Sequence, residues 1–334
     1  MVESEHQLIS PDKGEYYTFT VFTPTYNRAY TLPRVYESLK QQTYKDFEWL
    51  IVDDGSTDNT SELVEEWQHK SEFAIHYIYQ NNSGKHNAYN LAAREAKGQF
   101  FICLDSDDAC VPEALEQFKY HWDSISPDER QNFSGVDCLC QDQNGNVIGS
   151  YYPSNPTDAN YFEIRYRLKV DGEKWGFQRT EVLREFPFPA IISQKLYVPE
   201  NIVWSSIAQH YKIRCVNECL RIYYIDSTTD QITQSDWVRK NPVGFNLMCR
   251  SLLDKDIDYF RFDPWFFIRY AINYSRSSFH LKTNIKQQFI SLNSGFGKLL
   301  WLITIPLGTM LWLKDRFKKN YPSEPPTLAN FSGH

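Results

Sequence analysis

"IVDDGSTDNT", residues 51–60, opens with two apolar residues and turns acidic at once: Asp53 and Asp54 lead directly into Gly55, Ser56 and Thr57. An apolar run that ends in turn formers reads as a buried strand delivering polar groups at its carboxyl end. "FICLDSDD", residues 101–108, repeats the pattern further along the chain. One such carboxylate is commonly a turn or helix cap. Two acidic strand ends in one chain point to a shared site.

The surrounding residues supply the frame. "YYTFTVFT" (16–23), "FEWLIV" (47–52), "FAIHYIY" (73–79) and "QFFICL" (99–104) are aromatic and β-branched, as buried strands are. Between them lie amphipathic helices. In 31–43, Leu32, Val35, Tyr36 and Leu39 form the apolar stripe and Thr31 is placed to cap. In 60–68 the stripe is Leu63, Val64 and Trp67. A third helix covers 86–98 and is read as closing on Gly98. A fourth, 112–122, opens on Pro112. Alternating strands and helices imply right-handed crossovers and a mainly parallel sheet. The fold class is therefore α/β, a Rossmann-like, mainly parallel central sheet flanked by helices. In such sheets ligands bind beyond the carboxyl ends of the strands. Those ends carry "TPTYNR" (23–28), Asp53 and Asp54, and Asp105, Asp107 and Asp108.

The bulk composition narrows the function. With 334 residues, 42% hydrophobic and 23% charged, the chain can bury a full core. A net charge of −7 argues against a nucleic-acid partner. Seven scattered cysteines lack zinc-ribbon spacing and suit reduced, buried thiols of a cytosolic protein. The polar start, 1–15, reads as a flexible extension without the apolar run of a signal peptide. No GxGxxG or GxxxxGK[ST] run is present, so neither dinucleotide nor P-loop binding is supported. The Asp105–Ser106–Asp107 spacing suits a hard cation, Mg2+ or Mn2+, which takes one or two carboxylates and completes its shell with water and phosphate oxygens. A metal-bridged diphosphate is the natural ligand.

The blocks "PTYNR", "QQTYKDFEWLIVDDGSTD" and "LDSDD" together resemble glycosyltransferase family 2, with the GT-A fold. The likeness covers roughly 17–225 and is strongest to about residue 122. It implies that a nucleotide-sugar, a UDP-sugar by expectation, is the donor. Asp54 then contacts the uracil and Tyr26 lies beside it; the neighbouring Asp53 counts among the donor-site residues, with shaping the turn as its other role. Asp105 approaches the ribose and Asp107 holds the metal on the diphosphate. Asp108 is a further carboxylate, with capping as its alternative role. Lys85, in "SGKH", is placed to offset phosphate charge. Inverting members keep an acidic base near a helix start well after the DxD motif, often as an ED pair. Here the pair is Glu200–Asn201, so Glu200 is the candidate base. Trp175 and Gly176 are candidates for the acceptor side, with a core role open for the tryptophan. Arg221 or a group in 216–233 is a candidate to reach the diphosphate.

The resulting organisation is a flexible 1–15, a GT-A domain over 16–233, a helical, membrane-associating region over 234–320 and a disordered tail over 321–334. "LLWLITIPLGTMLWL" (299–313) is uncharged but, at 15 residues, short of the roughly 20 that span a bilayer. Pro306 and Gly308 weaken it further as a helix. The basic flank of Lys314, Arg316, Lys318 and Lys319 suits the interface of an anionic membrane, so 299–319 is expected to lie on the inner face of the cell membrane. The acceptor is then a glycan or lipid-linked glycan of a surface polysaccharide. Two rival readings are a nucleotidyltransferase, for which "TPTYNRAYTLPR" lacks the glycine-rich loop, and a non-catalytic nucleotide-sugar or partner binder.

Overall fold

The computed structural model describes residues 16–190, 197–225 and 237–317. The expected flexible start (1–15), the 226–233 loop, the basic residues Lys318 and Lys319 and the disordered tail lie outside the described residues.

The first half of the domain is the alternating unit. Strands β1 (Tyr17–Thr25), β2 (Phe47–Asp53), β3 (Ala74–Tyr79) and β4 (Gly98–Cys103) are parallel and ordered β3-β2-β1-β4. Helices α1 (Leu32–Lys40), α2 (Thr60–Lys70) and α3 (Lys85–Glu95) connect them. The sheet then continues through β5 (Ala109–Cys110), α4 (Ala114–Asp123), β6 (Phe133–Asp142), β7 (Thr157–Ala159), β8 (Lys174–Arg179), α5 (Thr180–Glu185), α6 (Asn201–Ala208) and β9 (Lys212–Tyr223). Here β8 is antiparallel to β4 and β6, and β9 is parallel to β6. The nine-stranded sheet is thus parallel at its founding edge and mixed beyond it.

Phe19, Trp49, Phe100, Phe118 and Phe177 are fully buried on one face of the sheet. Phe22, Phe101, Tyr89 and Val203 fill the other, under α3 and α6. β2 has no exposed residue, because helices cover both its faces.

Three local expectations are corrected. Gly98 does not close α3, which ends at Glu95. It opens β4, where a Cβ would stand 2.3 Å from the Thr20 nitrogen, so the bare glycine permits strand contact. Thr31 occupies the N-cap of α1 without a side-chain capping bond. Pro112 lies two residues before α4 rather than inside it.

The C-terminal region is helical: α7 (Trp237–Lys240), α8 (Pro242–Ser251), α9 (Pro264–His280), α10 (Ile285–Ser291) and α11 (Gly295–Arg316). They surround a separate core built on Phe267, Tyr274 and Trp301. The uncharged run is longer as a helix than its 15 residues suggest: α11 has 22 residues and continues through Pro306. By length and composition it could cross a membrane. Tertiary packing accounts for its continuity. At Gly308 a Cβ would stand 2.6 Å from the Ile272 carbonyl oxygen, so the glycine lets α11 lie directly on α9. Buried Asp315 then receives Arg276 at 2.6 and 2.8 Å and His280 at 3.0 Å. Opposite that seam, Leu299, Leu302, Ile303, Leu307, Met310 and Phe317 are exposed. The helix turns its one acidic side chain inward and an apolar stripe outward.

Candidate active site

The acidic loop after β2 is first of all a structural device. Asp53 is 1% exposed, and both its oxygens are taken. The Ser56 nitrogen donates to Oδ1 at 2.7 Å and the Tyr77 hydroxyl to Oδ2 at 2.6 Å. Gly55 holds φ at +88°, the left-handed region that favours glycine, and closes the turn. Asn27, itself at φ +52°, accepts from the Thr57 nitrogen at 2.7 Å, and Asp58 accepts from the Ala29 nitrogen at 3.1 Å. The loops after β1 and β2 are thereby laced together. Placing Asp53 among donor-contacting groups is corrected: it shapes the turn.

Asp54 faces the opposite way. Its carboxylate accepts from the Gln80 amide at 2.6 Å and from the Ser83 and Gly84 nitrogens at 2.8 and 2.9 Å. It fixes the loop that starts α3, and with it the position of Lys85. Tyr26, at the mouth of β1, is half-exposed and open to a flat ligand.

Lys85 is the hub. Its ammonium lies 2.8 Å from Asp105 Oδ1 and 3.0 Å from Glu200 Oε1. Asp105 and Glu200, far apart in the chain, are therefore joined through one cation. Burial opposes that charge, yet Asp105 and Glu200 outweigh it and hold the Lys85 ammonium well above its usual range. Asp105 also receives Arg221 Nη2 at 3.0 Å. Burial opposes ionisation of Asp105, but Lys85 and Arg221 prevail and hold its carboxyl below the usual carboxylate range.

Arg221 comes from β9, far along the chain, and is itself buried. It donates to Asp108 through Nε at 2.9 Å and through Nη2. The Tyr224 nitrogen occupies the other Asp108 oxygen at 3.0 Å. Asp108 is thus neither a free base nor a cap of its own turn. It anchors Arg221, which in turn faces Asp105.

Glu200 sits at the N-cap of α6 but makes no capping bond. Its side chain is directed at Lys85 instead. It lines a cavity of about 670 Å³ together with Asp105, Arg221 and Trp175. Trp175 is a core residue with one edge on the cavity. It is buried against Phe118 and donates to the Cys103 carbonyl at 2.6 Å, and it also contributes to the cavity lining.

Among the described residues no group of three His, Cys, Asp or Glu side chains is placed to hold a metal ion. Asp105 is engaged by two cations, and Asp108 is buried beneath Arg221. Asp107 differs in its partners: its side chain is about as exposed as that of Asp105, but among the described residues only Arg28 Nη1 approaches it, at 3.7 Å. The donor set fits an ion that arrives with a diphosphate and takes one protein carboxylate, as Mg2+ and Mn2+ commonly do.

Sequence reasoning did not single out Arg28, although it ends the PTYNR block, and it left Arg221 undecided. It also missed Asp137, on β6, which lines the same cavity. No motif surrounds Asp137, and only strand pairing brings it there.

The parallel β1–β4 unit, its acidic switch edge and the adjoining cavity define an α/β enzyme of GT-A fold. Residues 20–128 match Glycosyl transferase family 2. An uncharacterized glycosyltransferase of Methanocaldococcus jannaschii is 26% identical over 231 residues, 64% of this chain and 73% of that one. Poly(ribitol-phosphate) beta-N-acetylglucosaminyltransferase TarS of Staphylococcus aureus is 34% identical over 100 residues, 29% of this chain and 18% of TarS. The sequence match therefore spans less than a fifth of that relative. The structure of S. aureus TarS 1-349 in complex with UDP-GlcNAc superposes with a TM-score of 0.60 at 18% identity, covering 92% of this chain and 98% of that one. Residues 20–128 therefore carry a glycosyltransferase family 2 domain, and the chain is a glycosyltransferase.

Proposed function

We propose that this chain transfers a sugar, with inversion, from a UDP-sugar to a hydroxyl of a glycan or lipid-linked glycan at a membrane surface, in the synthesis of a surface polysaccharide. The observation that carries the reading is the Asp105–Lys85–Glu200 chain of contacts at the cavity mouth, backed by Arg221. Departure of a nucleoside diphosphate builds negative charge, and preorganised cations stabilise it. Lys85 and Arg221 are those cations on the protein side. A divalent ion held by Asp107 and the diphosphate oxygens would add Lewis-acid stabilisation of the leaving group. Glu200 is the base that accepts the acceptor hydroxyl's proton. Lys85 fixes the carboxylate through Oε1, which orients it without removing it from the cavity. Tyr26 stacks beside the uracil, and Asp54 keeps the 80–84 loop in place beneath it.

The test is a melting-temperature screen of UDP- and GDP-sugars with and without Mn2+, followed by product formation. At a hundredfold excess over Kd, binding to the folded state alone stabilises by about 2.7 kcal/mol. In Asp107→Ala the Mn2+-dependent part of the shift is expected to vanish while the metal-free part persists. Unchanged metal dependence would remove Asp107 from that role.

The membrane part of the proposal is supported by the exposed stripe of α11. Its apolar side chains face outward beside Lys314 and Arg316, the arrangement of a helix lying in an interface. Deleting α11 is a poor test, because Trp301 belongs to the core it packs on. Ile303→Glu with Met310→Glu changes only exposed positions. Flotation with anionic liposomes should fall strongly while the melting temperature holds. Equal flotation of the variant would place the contact elsewhere.

A further inference from the structure

The cavity continues well past the catalytic cluster, between the sheet and the helical side of the molecule. Its floor there is β6 and β8, with Asp137 paired in register with Gly176 and Gly135 with Gln178. At Gly176 a Cβ would stand 2.1 Å from Asp137 Oδ1, so the absence of a side chain at 176 is what lets the carboxylate lie over the strand. The walls are aromatic: Tyr166 from a π turn at Glu163–Arg167, Trp204 from α6 and Tyr211 just beyond it. Tyr166 is held by the buried Asp256, which its hydroxyl reaches at 2.7 Å.

The polar groups of this deep end are poorly satisfied. Gln178 Oε1 is buried with no hydrogen-bond partner, and the buried Tyr152 hydroxyl has only the weakly bonding Cys215 thiol beside it. Tyr152 is 3% exposed and Gln178 8%. Among the described residues the Asp137 carboxylate makes no hydrogen bond or ion pair. Burial pushes its carboxyl up to about 7, against the pull of Lys174. Buried polar groups are rarely left unpaired, and an orphaned one costs about 1–3 kcal/mol. Such a set is explained by a ligand that supplies the missing partners.

We infer that Asp137, Gln178 and Tyr152 form a subsite for a neutral, hydroxyl-rich sugar ring of the acceptor. This inference rests on the glycosyl-transfer reading and specifies the acceptor within it. The chemistry selects the ligand class. A carboxylate and an amide oxygen are acceptors and call for hydroxyl donors. Aromatic walls suit the apolar faces of a pyranose. The carboxylate at the floor disfavours a phosphate or uronate at this position. The donor's sugar shares the same chemistry, but its anomeric carbon is tied to the diphosphate at the Lys85–Arg221 end. Asp137 lies on β6 three residues from Cys140, the register partner of Arg221, so its end of the cavity, away from that cation, falls to the acceptor, whose attacking hydroxyl must face Glu200.

The experiment uses the full chain and methyl glycosides as probes: neutral hexosides and N-acetylhexosaminides beside methyl glucuronide. Binding is read by saturation-transfer NMR in the presence of UDP. The unsubstituted protein is expected to bind at least one neutral glycoside and to discriminate against the glucuronide. Asp137→Asn, an isosteric change, should weaken that glycoside at least tenfold, since a charge-assisted bond is lost. Gln178→Met, which removes an orphaned acceptor on the same floor, serves as the second variant should Asp137→Asn fail to fold. It should also alter glycoside affinity. In both, the UDP-induced melting shift should be unchanged. No binding of any neutral glycoside by the unsubstituted protein, or equal binding by both variants, overturns the subsite while an intact UDP shift leaves the donor reading standing. A variant that loses UDP-sugar affinity but keeps UDP affinity assigns the pocket to the donor sugar and overturns the acceptor assignment. Absence of any nucleotide-induced shift is the separate failure of the glycosyl-transfer reading.

Discussion

Glu200→Gln is expected to lower the transfer rate about 10²–10⁴-fold, the usual worth of a positioned general base. Glutamine keeps the shape of the side chain and can still meet Lys85, but it cannot accept a proton. Because the base acts on the acceptor hydroxyl in the transition state, kcat and kcat/KM should fall together. UDP affinity, which the proposed function places at Tyr26, Lys85 and Arg221, should hardly change. The stability cost should be small, within about 1 kcal/mol, because Glu200 makes no capping bond and contributes to α6 only through the helix dipole. The deciding measurement is kcat beside the melting temperature. Near-normal turnover would take Glu200 out of the chemistry, and Asp108 could not replace it, because Arg221 and the Tyr224 nitrogen occupy its oxygens.

The second large effect concerns Arg221→Met. This side chain is buried between two carboxylates, Asp105 and Asp108, and Asp108 is 1% exposed. Removing one partner of a buried ion pair leaves the other charge uncompensated and costs about 3–5 kcal/mol. Denaturant unfolding should show that loss directly. Adding Asp108→Asn should restore part of it, because the stranded carboxylate is then gone. Loss of UDP affinity without loss of stability would instead make Arg221 a ligand group that the fold does not need. A double variant no more stable than Arg221→Met would show that the cost lies in packing rather than charge.

Much of the first half was legible because its signals are local. Each of β1 to β4 is a short apolar run bounded by turn residues, and each connecting helix shows its stripe over three turns. The misplaced boundaries at Gly98 and Pro112, and the missing capping bond of Thr31, share a cause. Capping chemistry was read from residue type, but tertiary contacts decided it. Gly98 is needed for strand contact with Thr20, not for a left-handed helix end. Strands β5 to β8 were less legible: β5 and β7 are only two and three residues long, and the pairing of β6 and β8 joins segments far apart in the chain.

The same division runs through the site. By itself, the sequence determined that acidic and turn residues would gather at the carboxyl ends of parallel strands, since chain order and right-handed crossovers leave them no other edge. It determined an uncharged C-terminal run beside a basic flank. It did not determine what each carboxylate faces. Asp53, Asp54, Asp105, Asp107 and Asp108 are alike as residues within two short motifs. Tertiary structure alone assigns Asp53 to a turn, Asp54 to the 80–84 loop, Asp105 to Lys85 and Arg221, and Asp108 to Arg221, leaving Asp107 the least engaged. Lys85, Glu200, Arg221 and Asp137 come together from α3, the start of α6, β9 and β6. Their meeting depends on strand pairing and packing across more than a hundred residues, and no local spacing encodes it. Likewise, whether α11 breaks at Pro306 was settled by α9, whose close approach at Gly308 and ion pair to Asp315 hold the helix together.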